Sequence, residues 1–226
     1  MTGVSDTRAP SVAARAALIS AAEELFARHG IEGVSLRAIT RGAGQRNTTA
    51  LQYHFGDRDA LVRALVDKHM AEVSLRREAL LDLMEARGEP TLRDAAHAFV
   101  QPLVAKLADP DGGPQFLQVA AQLVNQANRQ IDPEEPVGAL VYDRRGVQER
   151  WARLVEPLMP AGSSGVPLHR RFAAIRFAYT ELGRRAHDAP DGDARLFASQ
   201  LTDLVTALLG AEVSPETRRL LAARGR

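Results

Sequence analysis

Apolar residues recur three and four positions apart along almost the whole chain, and no stretch alternates apolar with polar residues as a half-buried strand does. Gly, Pro and Asp break this pattern every few turns. The pattern predicts an all-α protein. A first helix over about 11–29 carries Ala14, Leu18, Ala21, Ala22, Leu25 and Phe26 on one side and stops at Gly30. Ser35 suits the N-cap of a short second helix ending near Arg41, with Leu36 and Ile39 turned inward. Gly42-Ala43-Gly44 forms a turn, and a short third helix over roughly 47–52 follows, capped by Asn47 or Thr48. Asp57 caps a fourth helix over 57–87, closed by Arg87-Gly88, that would reach about 46 Å at ~1.5 Å per residue. Its inward stripe reads Leu61, Leu65, Val66, His69, Val73, Leu80, Leu83 and Met84.

Beyond Pro90 the spacing predicts helices near 91–107, 114–130, 143–159, 167–188 and 193–210, joined by loops at 109–113, 131–138, 160–166 and 188–193. The chain divides into a small three-helix helix-turn-helix domain over 10–56, a larger helical domain over 57–210, and a charged tail over 211–226 expected to fray. The residues before 10 are expected to be a disordered arm.

Composition narrows the classes. The 226 residues, 45% of them hydrophobic, suffice for one large or two modest cores. No apolar run is long enough to span a membrane, and the first twenty residues lack the apolar centre of a signal peptide. Cysteine is absent, which excludes disulfides and thiolate metal sites and fits a cytoplasmic protein. The formal net charge is only +1, yet residues 35–58 hold Arg37, Arg41, Arg46 and Arg58 against Asp57 alone. A local positive patch on a near-neutral body suits a sequence-specific DNA reader better than a coating protein.

The chemistry concentrates in residues 28–61. A short helix placed in the major groove needs side chains that match base edges: Arg for guanine, Asn and Gln for adenine, the Thr methyl for thymine. Arg46, Asn47, Thr48, Thr49 and Gln52 supply them at the start and along one side of the third helix. Ser35, Arg37, Thr40, Tyr53, His54 and Arg58 flank this helix and are the candidates for phosphate contacts. Each also has a purely structural reading: Ser35, Asn47 and Thr48 as caps, Arg37 and Arg41 as a solvated face, Tyr53 and Phe55 as core. The combination, in this order and spacing, favours DNA.

This stretch resembles the TetR family of bacterial transcriptional regulators. The likeness rests on LFARHG closing the first helix, then GVSLRAI, AG and YHFGDRDAL, and covers residues of about 15–65. It implies a cytoplasmic homodimer whose two helix-turn-helix domains read a palindromic double-stranded operator, with a divergent C-terminal domain that binds a small effector. Repression is the commoner outcome in the family and is adopted here; activation is equally compatible with the residues. The resemblance assigns Arg58 to a basic position that contacts phosphate or opens the fourth helix. Gln52 stands where the family commonly has a tyrosine, with Tyr53 following. The segment from Gly44 to Phe55 is one residue longer than usual, which leaves open which of Arg46, Asn47 and Thr48 faces the bases.

In the larger domain, Met84, His97, Phe99, Phe116, Gln122, Trp151 and Phe177 are candidates to line an effector cavity, with Val119, Leu123, Leu154, Asn125 and Tyr142 beside them. Aromatics at helical spacing are equally the signature of a filled core. The helices over 167–188 and 193–210 offer Phe172, Ile175, Tyr179 and Leu182, then Leu196, Leu201, Leu204, Val205 and Leu208, as a four-helix dimer interface. The six histidines, His29, His54, His69, His97, His169 and His187, form no ligand pair one turn apart, and no HExxH, G-x-S-x-G, P-loop or dinucleotide turn occurs. No enzyme activity, metal or cofactor is expected. A helical protein-interaction module without DNA binding is the rival, and it leaves the segment 46–53 unexplained.

Overall fold

The computed structural model describes residues 8–126, 134–142, 145–188 and 193–224. The expected N-terminal arm up to residue 7, the end of the helix expected over 114–130, the start of the helix expected over 143–159, and parts of the loops expected over 131–138 and 188–193 lie outside the described residues; residues 8 and 9 of the expected arm are helical.

Three helices form the head. Helix α1 (Arg8–His29) supplies Leu18, Ile19, Ala22 and Phe26 to the core, all at most 4% exposed. Helix α2 (Leu36–Gly42) starts where the Ser35 side chain accepts a hydrogen bond from the Ala38 N–H, and it buries Ile39. Helix α3 (Thr49–Phe55) contributes Leu51 alone to the buried core. One buried residue in seven leaves most of α3 facing outward, because α3 only rests on α1, α2 and α4.

Helix α4 (Arg58–Arg87) is the spine. The Asp57 carboxylate caps it by accepting from the Ala60 N–H at 2.8 Å. Its first turns close the head with Leu61, Val62 and Leu65, and its later turns carry the large domain. Of its expected inward stripe, Leu83 is instead 57% exposed, while Arg77 is wholly buried. The stripe therefore runs through Val73, Arg77, Leu81 and Met84, in steps of four and three.

The large domain packs α5 (Leu92–Val104), α6 (Gly113–Gln126), α7 (Gly138–Val141) and α8 (Val147–Val155) on α4, with α9 (Arg170–Asp188) laid on α6 and α10 (Ala194–Gly210) on α5 and α9. Thr91 and Asp94 form a reciprocal capping box at the start of α5. The helix expected over 91–107 tightens into a 3-10 turn at Ala105–Ala108. The helix expected over 143–159 is shortened to α8 and a 3-10 turn at Glu156–Leu158, with the separate short α7 before it. Tyr142 is extended and Gly146, at φ +68°, opens α8 in the left-handed region, which interrupts a continuous helix. Helices α6 and α9 make the closest approach: a Cβ on Gly183 would lie 2.5 Å from the Ala121 Cβ and 3.1 Å from the Leu117 carbonyl oxygen. The tail expected to fray instead contains helix α11 (Pro215–Arg224), which buries none of its residues.

The packing of α6 on α9 and of α5 on α10 decides part of the expected dimer face. Ile175, Tyr179, Leu182, Leu201 and Val205 are at most 3% exposed within one subunit, so they belong to its own core. Leu196 and Leu204 remain exposed, at 67% and 42%, with Leu208 and Phe172 half-buried.

Candidate nucleic-acid interface

The exposed side of α3 gathers most of the base-reading candidates. Arg46, Asn47, Thr49 and Gln52 are all exposed, and Thr48 is half-buried. The cap of α3 is decided by geometry: the Asn47 side-chain oxygen accepts from the Thr49 N–H at 3.1 Å, while the Thr48 side chain makes no capping bond. The Asn47 amide nitrogen, which cannot cap, is the part left to donate outward.

A cleft of about 270 Å³ opens between the start of α2 and α3, lined by Ser35, Leu36, Arg37, Thr48, Leu51, Gln52 and Gly56. It brings Ser35 and Arg37 beside Thr48 and Gln52, although 11 or more positions separate them in the chain. Tyr53 is 81% exposed at the far end of α3, its ring edge-on to His54 at 5.2 Å. A tyrosine this exposed is not core. Phe55 is half-buried against the core, as its structural reading had it.

Two phosphate-contact candidates are turned elsewhere. Thr40 is 3% exposed and its hydroxyl donates to the Leu36 carbonyl at 2.8 Å. It sits on the inner side of α2, because residues four apart share a helix face and Leu36 points inward. Arg58 is half-buried and its guanidinium donates to the Ile31 carbonyl, tying the start of α4 to the loop after α1. Arg58 therefore acts as an internal strut.

The structure adds a cation that the spacing argument missed. Arg15 of α1 is exposed and sits over the Phe55 ring at 5.2 Å, beside the C-terminal end of α3. Its only sequence signal is a position on the solvent side of the first helix, one turn before Leu18.

The effector-cavity candidates do not line one space. Phe99 and Trp151 do meet, at 5.0 Å, with Tyr179 edge-on to Phe99 at 6.2 Å, and the Trp151 indole N–H donates to the Ala95 carbonyl at 2.8 Å. Met84 is buried core. Phe116 stacks on His69 at 4.6 Å, near the head. Gln122 spans the junction with the head: it accepts from the Ile31 N–H at 3.0 Å and donates to the Phe26 carbonyl at 3.2 Å. Phe177 is half-buried, and His97 is exposed in a separate groove with Arg93, Gln101 and Arg195. Partial desolvation of the imidazole by the groove walls and the nearby Arg93 charge hold His97 below its ordinary value. Of the side residues, Val119 and Leu123 are buried, Leu154 is half-buried, and Asn125 and Tyr142 are exposed.

Packing, not polarity, dictates this dispersal. The large aromatics fill the centre of the domain, and the polar candidates sit at its margins. Arg77 was missed: it is 0% exposed, lies over the Phe99 ring at 4.7 Å, and donates to the Phe99 carbonyl at 3.2 Å and to the Gln148 side-chain oxygen. Its signal was a charge lying between Val73 and Leu81 on an apolar stripe. Among the described residues no group of three or more His, Cys, Asp or Glu is placed to hold a metal ion, and no single helix is long and apolar enough to cross a membrane.

A compact three-helix head with an outward polar third helix is a helix-turn-helix DNA-binding unit. Residues 18–65, the three-helix head and the first turns of α4, match the family described as bacterial regulatory proteins, tetR family. The fold of the whole chain is similar to that of solved structures at low identity. A putative tetR family transcription regulator from Shewanella sp. PV-4 is 18% identical, with 87% of this chain and 95% of that one covered and a TM-score of 0.54. The fatty acid degradation regulator FadR from Bacillus halodurans is 13% identical, with 84% and 96% covered and a TM-score of 0.51. A bacterial regulatory protein in the tetR family from Rhodococcus RHA1 is 20% identical, with 87% and 97% covered and a TM-score of 0.50. No curated protein matches the chain.

Proposed function

We propose that the chain acts as a homodimer that reads a palindromic operator through α3 and represses transcription until a small effector binds the large domain. The observation that carries this reading is the exposure of Arg46 and Asn47 in the turn before α3 and of Thr49, Gln52 and Tyr53 on α3, while Leu51 is its one fully buried residue. Arg46, Asn47, Thr49 and Gln52 take the base edges; Ser35, Arg37 and Tyr53 take phosphates, joined by Arg15 from α1. The free N–H groups at the start of α2 add an anion-binding contact beside Ser35. Thr40 and Arg58 have no part in it, because both are held inside the head.

Dimerisation follows the exposed apolar edge of α10, Leu196 and Leu204, with half-buried Phe197 and Leu208 beside it. Two copies of this edge bury each other in an isologous contact and hold the two heads about 34 Å apart, one turn of duplex. An effector that prefers a conformation with another spacing releases the operator, and a coupling of ~1–3 kcal/mol suffices. The regulator FadR of Bacillus halodurans is a precedent, by its name, for control of catabolism on this fold.

Anisotropy with a labelled duplex from the gene's own upstream region tests the reading. Binding is expected to weaken with a log–log salt slope near −5 for roughly six phosphate contacts. Leu204→Arg is expected to sediment as a monomer and to lose operator affinity. No duplex binding at low salt would leave the protein-interaction module as the better reading.

A further inference from the structure

We infer that Glu23 is a positioning residue for operator reading: it pins the head to the large domain through a buried charge cluster. The inference rests on the dimer reading above. Glu23 belongs to α1 and is only 2% exposed. One of its carboxylate oxygens lies 2.9 Å from His69 Nε2, and both accept from Lys68 Nζ, at 3.1 and 3.2 Å. Lys68 also donates to the carboxylate and the backbone carbonyl of Asp111, at 2.8 and 2.9 Å, in the turn that leads into α6. The other His69 ring nitrogen stands 3.8 Å from Asp109, whose carboxylate accepts from Lys106 at 2.8 Å; Lys106 pairs in turn with Glu72. One carboxylate from the head is therefore the focus of groups on α4 and on the turn before α6.

The packing leaves this carboxylate no other place. A Cβ on Gly112, at φ +82°, would lie 2.2 Å from Glu23 Oε2 and 2.7 Å from its Cδ. Only a hydrogen fits there, so the backbone closes over the carboxylate opposite Lys68. Burial alone would lower the Lys68 value, and hydrogen bonds to Asp111 and Glu23 overcome it, holding the ammonium above its ordinary range.

A charge taken out of water is costly unless paired and hydrogen-bonded, so it tolerates one docking geometry where an apolar contact tolerates several. On α1 the charge sits four residues after Ile19 and three before Phe26, inside the apolar stripe, where a leucine would simply pack. Gln122 provides a second, neutral fastening one turn further on, at the Phe26 carbonyl. Two fastenings a turn apart fix α1 both along and about its axis. The separation of the two reading helices then depends on Glu23.

The test compares full-length wild type, Glu23→Leu and Glu23→Gln on a palindromic operator, on a single half-site, and on operators with one base pair added or removed between the half-sites. Melting temperature is recorded for each. Glu23→Leu is expected to lose roughly 5–150-fold on the full operator and to discriminate less between spacings, with half-site affinity unchanged. Glu23→Gln, which keeps a hydrogen bond to His69, falls between. Lys68→Met attacks the same cluster from α4 and is expected to behave like Glu23→Leu should that variant fail to fold. Wild-type affinity and spacing preference retained in all folded variants would overturn the inference, as would an equal loss on half-site and full operator. A wild type that binds the half-site as tightly as the full operator would instead defeat the dimer reading, and this inference with it.

Discussion

The head and the large domain use polar residues in opposite ways. In α3 one fully buried leucine, with Ala50 and Phe55 packed beside it, holds a helix whose Thr49, Gln52 and Tyr53 reach outward, so the functional groups are the ones packing ignores. In the large domain the groups with the most chemistry lie at the margins or are locked inward: Trp151 donates to the Ala95 carbonyl, and Arg77 lies over the Phe99 ring. The head is a surface built for an external partner. The large domain has a filled centre, and its polar groups serve its own packing, its junction with the head and the groove beside His97 at its margin.

The largest effect expected from this contrast is on stability. Trp151→Ala removes a 1%-exposed indole from the aromatic centre and should cost about 3–5 kcal/mol by denaturant titration. Half-site affinity measured where the variant is still folded should be unchanged. A variant as stable as wild type would contradict the filled core.

The mirror experiment is Arg46→Ala. It should leave the melting temperature unchanged, since the side chain is exposed, and should cost ~1–3 kcal/mol in operator binding with relaxed base preference if it grips guanine. An unchanged preference would remove Arg46 from the base-reading set. Thr91→Ala tests a feature with no role in either contrast, the α5 capping box, and should cost about 1 kcal/mol. The Thr91 hydroxyl holds the Asp94 carboxyl below its ordinary value, against the opposing effect of burial. A depressed folded-state value stabilises above the unfolded value of about 4 and is lost as pH falls through the folded one. The gap between wild type and Thr91→Ala should therefore narrow in acid, and a gap independent of pH down to full acid unfolding would contradict it. The smallest effect is expected of Thr40→Val, which should leave operator affinity unaltered because the hydroxyl is spent on the Leu36 carbonyl.

The two regions also differ in how far sequence reveals them. In the head, caps and turns are local, so Ser35, Asp57 and the glycine after α1 mark helix ends directly. The side of α3 that faces outward follows from its short length and from Leu51 alone. Thr40 and Arg58 drew a phosphate reading because a polar residue near a groove-facing helix looks functional whether its side chain points out or in. In the large domain, the late start of the helix expected over 143–159 depends on Gly146 adopting a left-handed conformation. The burial of Tyr179 and Val205 depends on which helices pack together, and no local pattern encodes that. The charges on apolar stripes, Glu23 and Arg77, went unread in the sequence, and their partners on distant helices have no local signal at all.

The most direct measurement is a hydroxyl-radical footprint of the full-length protein on the upstream region of its own gene. Two symmetric protected segments, centred about one helical turn apart, are predicted. Alanine at Arg46, Thr49 and Gln52, whose exposed side chains make no capping bond, together should erase both segments without lowering the melting temperature. A footprint that survives this triple substitution would contradict the claim that the exposed side of α3 is the surface that reads DNA.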